Sequence, residues 1–364
     1  MINRILIYDP VPYKGGSKKV MQTILTVLPS SAEVWVLSND KASWSNCNVH
    51  YVSLFSPSWL LNKTSGTLYF FKHFIYFLSL FFTLCKLKRF NKIIGISGPC
   101  VDFSLYLLTT IIQVDIIQLI QGNIANSRIA NFGLTRANRV FYLPSTYPSI
   151  MQSLLSHGDN KEIIMDNFIP FINGIDSSLI KSKVNHKKVG LLWAASLLRW
   201  KHIELLVAAI NKLNKRAEHA DQYFANVCYI QPKTTDQVDI SNHSNVANIH
   251  WYADPKNLND IRASSSIFIS TSEQEPFGLS ILEAMVSGLA IIIPADNAYW
   301  DQQLTDGYDC VKYEPNSVDS LIEAITRLMD EPSLLLKVAQ QGKNSAQHYS
   351  HINCYEHILK SLLN

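Results

Sequence analysis

Two glutamates, Glu275 and Glu283, bracket Pro276-Phe277-Gly278-Leu279 in the stretch TSEQEPFGLSILEAM (271–285). An ionised carboxylate only accepts hydrogen bonds, so each glutamate suits a hydroxyl donor. Gly278 lets an anionic group come close to the backbone, and the unpaired N–H groups at a helix start attract negative charge. Carboxylates are poor neighbours for a phosphate but good acceptors for the hydroxyls of a sugar and a ribose. The segment thus offers a diphosphate seat with hydroxyl acceptors on both sides, which is the chemistry of a sugar nucleotide. The bland alternative is an ordinary strand–helix connection with two solvated glutamates.

Local elements must hold that seat. SSIFISTS (265–272) is a short apolar run of the kind that forms a buried strand. LSILEAMV (279–286) has helical spacing and stops at Gly288, and LAIIIP (289–294) reads as the next strand. The loop therefore lies at the carboxyl end of a strand, where open α/β sheets bind ligands. Glu275 falls in the loop and Glu283 about one turn into the helix.

The segment resembles the donor site of retaining glycosyltransferases of family 4, which have the GT-B fold. It shares their two carboxylates separated by seven residues, with Phe-Gly-Leu between and Glu-Ala-Met after. The resemblance implies that Glu275 holds the transferred sugar, that the amides of Phe277, Gly278 and Leu279 (after Pro276) hold the diphosphate, and that Glu283 holds the ribose. It also implies that Gly15 and Gly16 form an amino-terminal glycine loop close to the donor phosphates. In LLWAASLLRWKHIELL (191–206), Lys201 matches the family's phosphate-binding lysine. The arginine expected five residues earlier is replaced by Ser196, leaving Arg199 as the nearest cation; its planar fork would grip two phosphate oxygens. A histidine common over the reacting sugar is replaced by Gln121, which can hydrogen-bond but cannot carry a proton. Asn123 and Asp102 are neighbouring candidates.

The 364 residues are enough for two domains, each with its own core. Charged residues make up 17% and hydrophobic ones 47%, far from a multi-span membrane protein. Met1-Ile2-Asn3-Arg4 runs straight into the strand-like ILIYDP, so no signal peptide is expected and the chain reads as cytoplasmic. The six cysteines are scattered, with no CxxC and no histidines at metal spacing, as in a reduced compartment. The dinucleotide fingerprint GxGxxG is missing, which argues against a dehydrogenase.

Strands are expected at 4–9, 33–39, 92–97, 115–121 and 139–144, then again at 188–196, 226–231, 248–252, 266–271 and 290–294. Helices alternate with them, including 202–214 and 318–330. Such alternation predicts parallel sheets covered on both faces. The expected fold class is α/β: a GT-B arrangement of two Rossmann-like domains facing each other across a cleft. The domains are placed at 1–183, binding the acceptor, and 184–346, binding the donor, joined through KSKVNHKK (181–188). One long helix over about 333–363 is expected, its end from about 347 returning to the first domain.

Residues 1–183 hold 17 Lys and Arg against 9 Asp and Glu, while residues 184–364 hold 15 against 20. The basic first half suggests an anionic partner. Nucleic acid is not expected, because the basic residues do not interleave with aromatics in a reading motif. In LYFFKHFIYFLSLFFTLCKLKRFNK (68–92), Lys72, Tyr76, Ser79, Thr83 and Lys86 align in one stripe of a helix whose remainder is apolar. The uncharged run from His73 to Cys85 covers about 20 Å, short of a bilayer's roughly 30 Å. It reads as an interfacial helix over 70–92, with Lys86, Lys88, Arg89 and Lys92 meeting anionic headgroups, or as a buried core helix.

These features lead to a retaining hexosyltransferase that moves a sugar from a nucleoside diphosphate to an acceptor hydroxyl, the acceptor being a glycan or lipid-linked glycan of surface polysaccharide. No Asp-x-Asp motif occurs, so no metal and no cofactor beyond the donor are expected. Three alternatives stand beside it: a sugar-nucleotide 2-epimerase, a glycoside hydrolase using the paired carboxylates, and a non-catalytic scaffold of a polysaccharide complex. Gly278 and Lys201 count against the hydrolase, and the intact glutamate pair against the scaffold.

Overall fold

In the computed structural model, the described residues are 3–61, 63, 65–87, 90–157, 166–181, 188–216, 222–232, 237–241 and 246–364. The chain divides into two compact units, residues 1–174 with 351–364, and residues 175–350. The division at Gly174/Ile175 precedes the linker expected at 181–188, of which 182–187 lie outside the described residues.

The first unit is built on a seven-stranded parallel sheet of β1 (Arg4–Asp9), β2 (Glu33–Ser38), β3 (His50–Ser53), β4 (Lys92–Gly95), β5 (Asp115–Ile120), β6 (Arg139–Tyr142) and β7 (Phe168–Pro170). Its order is β3-β2-β1-β4-β5-β6-β7. The second unit holds β8 (Val189–Ser196), β9 (Tyr223–Ile230), β10 (Ile249–Ala253), β11 (Ile267–Ile269), β12 (Ala290–Pro294) and β13 (Val311–Tyr313), in the order β10-β9-β8-β11-β12-β13. Every pair is parallel. Central strands such as Ile5–Tyr8 and Ala290–Ile293 are buried on both faces, which is why they read as unbroken apolar runs rather than alternations. In both sheets the chain leaves its first strand in one direction and later resumes on that strand's other side. That topological switch point, between β1 and β4 and again between β8 and β11, is where such sheets bind ligands.

Three short strands (β3, β7 and β13) went unread in the sequence, being too brief to show a period. The long helix expected over 333–363 is instead broken. Pro332–Ala346 is followed by a short 3₁₀ turn, Gln347–Tyr349, and then by His351–Cys354 and Glu356–Leu363. Ser350 is extended (φ −62°, ψ 128°), where the chain leaves the second unit for the first, so the helix cannot run through it. The returning segment is anchored by Tyr355, fully buried, whose hydroxyl accepts from the Gly174 N–H and donates to the Gly174 carbonyl, both at 3.0 Å.

Candidate active site

The second unit assembles its site at the carboxyl ends of β8 and β11. After β8 the chain makes a 3₁₀ turn, Arg199–Lys201, and His202 adopts a left-handed conformation (φ 46°) before the helix Ile203–Leu213. The loop after β11 is stitched to that turn. The Glu273 N–H donates to the Trp200 carbonyl at 2.9 Å, and the Thr271 hydroxyl donates to the Lys201 carbonyl at 2.7 Å. Trp193 on β8 in turn donates its indole N–H to Thr271 Oγ1 at 2.9 Å. The far side of the loop is held by Asp296, which accepts from the Gln274 N–H at 2.7 Å.

This stitching places Lys201 Nζ directly on Glu275 Oε2 as an ion pair. The ammonium also lies 3.9 Å from the centroid of the Trp200 ring. Two groups separated by 74 positions in the chain are thereby brought into contact. Arg199 is exposed on the same turn and lines an open groove with Trp200, His202, Gln237, Asp239 and Glu273. His202 bridges Glu204 (3.3 Å) and Glu273 (3.1 Å) there.

Gly278 caps the helix Leu279–Ser287 in the left-handed region (φ 76°), a conformation that favours glycine. Among the described residues no side chain caps this helix, and no acidic residue lies in its first turn, so its amino end keeps its positive field. The Phe277 side chain turns away from the seat into an aromatic cluster with Tyr299, Trp300 and Tyr349, at centroid distances of 4.9, 5.2 and 6.0 Å. Trp300 donates to the Gly278 carbonyl at 3.4 Å and so fixes the turn from beneath.

Glu283 lies in the middle of that helix, buried, and pairs with Arg262 from the helix Leu258–Ala263. Arg262 is also held by Asn259 Oδ1 at 2.5 Å. Sequence reasoning missed this partner, since one arginine in NDIRASSS carries no local sign of where it points.

The first unit supplies the other candidates. Gly15 is extended and caps the helix Gly16–Val27, again with no side-chain cap and no acid in the first turn. A Cβ at Gly15 would meet nothing within 4 Å, so this side of the loop is open. The loop is clamped by Lys18, 2% exposed, which donates to the Val11 carbonyl (2.7 Å) and pairs with Asp40 (2.8 Å) and Asp9 (3.1 Å). Gln121 follows β5, with a buried Nε2 that makes no hydrogen bond among the described residues. Asn123 is exposed. Asp102 is not a surface candidate at all. It is fully buried, accepting from the Ser97 N–H and Gln118 Nε2, both at 2.9 Å, and burial raises its pKa to about 7.

Comparison with known proteins agrees with this architecture. Residues 176–345, within the second unit, match the profile of the family Glycosyl transferases group 1. No curated protein matches the chain. Among solved structures, HepE of Anabaena in complex with UDP and glucose superposes with a TM-score of 0.76 at 14% identity, over 99% of each chain. Sucrose-phosphate synthase of Thermosynechococcus elongatus gives 0.74 at 13% identity, covering 99% of this chain and 97% of that one. WaaG, a glycosyltransferase involved in lipopolysaccharide biosynthesis, gives 0.72 at 13% identity over 99% of each. At such identities the superpositions establish the GT-B fold. The second unit is thus similar to the Glycosyl transferases group 1 family, on a chain with the GT-B fold.

Proposed function

We propose that this protein is a retaining glycosyltransferase that moves a hexose from a nucleoside diphosphate to a hydroxyl of a lipid-linked glycan at the cytoplasmic face of a membrane. The observation that carries the reading is the Lys201–Glu275 pair, stitched beside the uncapped helix end at Gly278. HepE, of the same fold, is bound to UDP and glucose, which supports a nucleotide-sugar donor here.

In this reading the sugar's hydroxyls donate to Glu275 and the ribose hydroxyls to Glu283. The diphosphate lies against the amides of Gly278 and Leu279, with Lys201 and Arg199 as countercharges. As the bond between C1 and the phosphate oxygen breaks, negative charge grows on that oxygen, and these groups stabilise it more than they stabilise the substrate. The acceptor oxygen attacks C1 from the face the phosphate is leaving, and its proton passes to the departing phosphate oxygen. Configuration at C1 is retained without a dedicated base, consistent with Gln121 standing where a histidine is usual. Lys201, Arg199 and the helix field supply the positive charge, so no metal is required at the donor.

The test is a thermal-shift screen against UDP-, GDP- and dTDP-sugars, followed by NMR of the anomeric proton in the product. A nucleotide-sugar shift and a product with unchanged anomeric configuration, formed in EDTA, are expected. An inverted product, loss of turnover in EDTA, or a free 2-epimer in place of a glycoside would overturn the reading.

A further inference from the structure

The helix Gly66–Leu87 is turned opposite to a soluble amphipathic helix. The first part of its polar stripe faces inward: Lys72 and Tyr76 are buried, with Tyr69, His73 and Leu80, while Lys86 at the far end is exposed. These groups satisfy the chain that runs beneath them. Lys72 Nζ donates to the Lys63 carbonyl at 2.5 Å, Ser79 Oγ accepts from the Phe55 N–H at 3.0 Å, and the Tyr76 and Ser56 hydroxyls share a hydrogen bond at 2.7 Å. His73 sits 3.4 Å from Ser104 Oγ, and burial lowers its pKa to about 3, so it stays neutral.

The aromatic residues take the outer face instead. Phe70, Phe71, Phe74 and Phe82 are 48–65% exposed, and Phe55 and Trp59 from the preceding segment reach 66% and 57%. Trp59 stacks on Phe71 at 6.2 Å, so the two segments share a single patch. Exposed apolar surface on this scale marks an interaction site.

The surroundings indicate the partner. From Lys41 to Val101 the sequence contains no Asp or Glu, but seven Lys or Arg. Lys63 and Lys86, before and near the end of the helix, are exposed. Lys92 is corrected from its expected headgroup role: it pairs with Asp115 at 2.8 Å and is mostly buried. Lys88 and Arg89 lie outside the described residues. An exposed apolar helix face with the exposed Lys63 and Lys86 at its two ends, in a stretch of sequence without acidic residues, fits an anionic lipid surface. The helix is long and apolar enough to cross a membrane, about 33 Å for its 22 residues. Its inward stripe, however, is fastened to the first unit and would have to be torn free for it to span.

We propose that Gly66–Leu87 lies flat in the interface of an anionic membrane, with Phe70, Phe71, Phe74, Phe82, Phe55 and Trp59 inserted among the acyl chains. The proposal rests on the reading above only in making this the surface where the lipid-linked acceptor is met.

The experiment uses the full chain with vesicles of phosphatidylcholine, with and without phosphatidylglycerol. Three variants are compared: Phe70→Ser/Phe71→Ser/Phe74→Ser, Lys86→Glu and Trp59→Phe. The wild type is expected to sediment with the anionic vesicles, and the triple variant to lose about tenfold or more of that binding. Lys86→Glu should lose less, and added salt should weaken binding. Brominated acyl chains should quench wild-type emission, and Trp59→Phe should remove most of the quenching. No vesicle binding by the wild type, or equal binding by the triple variant, would overturn the proposal. So would a wild-type dimer that the triple variant converts to a monomer, since a second copy would then cover the face. The thermal shift with UDP-, GDP- and dTDP-sugars reports on the donor site separately. If that shift persists while vesicle binding fails, only this inference falls.

Discussion

Arg262 and Glu283 form an ion pair almost sealed from water, with 2% and 4% of their side chains exposed. A pair this dry is costly to break from one side, because the remaining charge stays buried and uncompensated. Glu283→Ala should therefore cost about 3–5 kcal/mol of stability, and any loss of nucleotide binding in it would be ambiguous. Glu283→Gln keeps an acceptor for Arg262 but weakens the one offered to the ribose. It is expected to bind nucleoside diphosphate about tenfold more weakly and, because a neutral amide keeps the hydrogen bond but leaves the Arg262 charge uncompensated, to melt between Glu283→Ala and the wild type, with affinity read well below that melting point. Calorimetry beside a melting curve checks this; unchanged affinity would reject the ribose assignment.

Lys201 and Glu275 should separate by what they touch. Glu275→Ala is expected to lower kcat about a hundredfold through loss of the sugar contact, while nucleoside diphosphate affinity holds or rises, because the variant frees Lys201 from its ion pair. Lys201→Ala should weaken the nucleotide itself and lower kcat as well, because the charge it meets grows in the transition state. Equal effects of both variants on nucleoside diphosphate affinity would contradict the division of roles.

Gly278→Ala isolates the backbone at the amino end of the helix Leu279–Ser287, where the proposed function seats the diphosphate. The new Cβ would meet Glu275 Cγ and Ile281 Cδ1 at 3.0 Å, at a φ of 76°. The left-handed conformation alone costs about 1–2 kcal/mol, and the contacts push on the Glu275 side chain. The melting temperature should fall by several degrees and turnover by more than stability alone explains, measured on the folded fraction.

Asp102 makes stability depend on pH in an unusual direction. Burial raises its pKa to about 7, so the folded chain holds a proton that the unfolded chain releases near pH 4. Stability should accordingly fall as pH rises from about 4 to 7, then level off. His73, with its pKa lowered to about 3, works the other way, as the unfolded chain gains a proton below about pH 6.5. The two slopes oppose, so the informative quantity is the difference between the wild type and Asp102→Asn in denaturant titrations. The wild type should lose ground to Asp102→Asn as pH rises through that window. A constant difference from pH 4 to 7 would contradict the buried-proton account.

Much of the fold was legible because parallel strands buried on both faces leave continuous apolar runs. The turn at Gly278 was legible because a left-handed helix cap favours glycine. The expected strands at 33–39, 115–121 and 290–294 correspond to β2, β5 and β12 within a residue. The break in the last helix left no local sign, since Ser350 is a tolerable helix residue and only the crossing between units makes it extended.

What the sequence determined by itself was local: residue chemistry, the period of each element, and the spacing that puts Glu275 in a loop and Glu283 in a helix. Tertiary structure alone decided which charges meet. Lys201 reached Glu275 because β8 and β11 are neighbours in the sheet, and Arg262 reached Glu283 through helix packing. It also decided which way the helix Gly66–Leu87 turns. A stripe of polar groups on a mostly apolar helix can face either way. Here the backbone groups of residues 55 and 63 needed partners, so the polar side went inward and the phenylalanines were left outside.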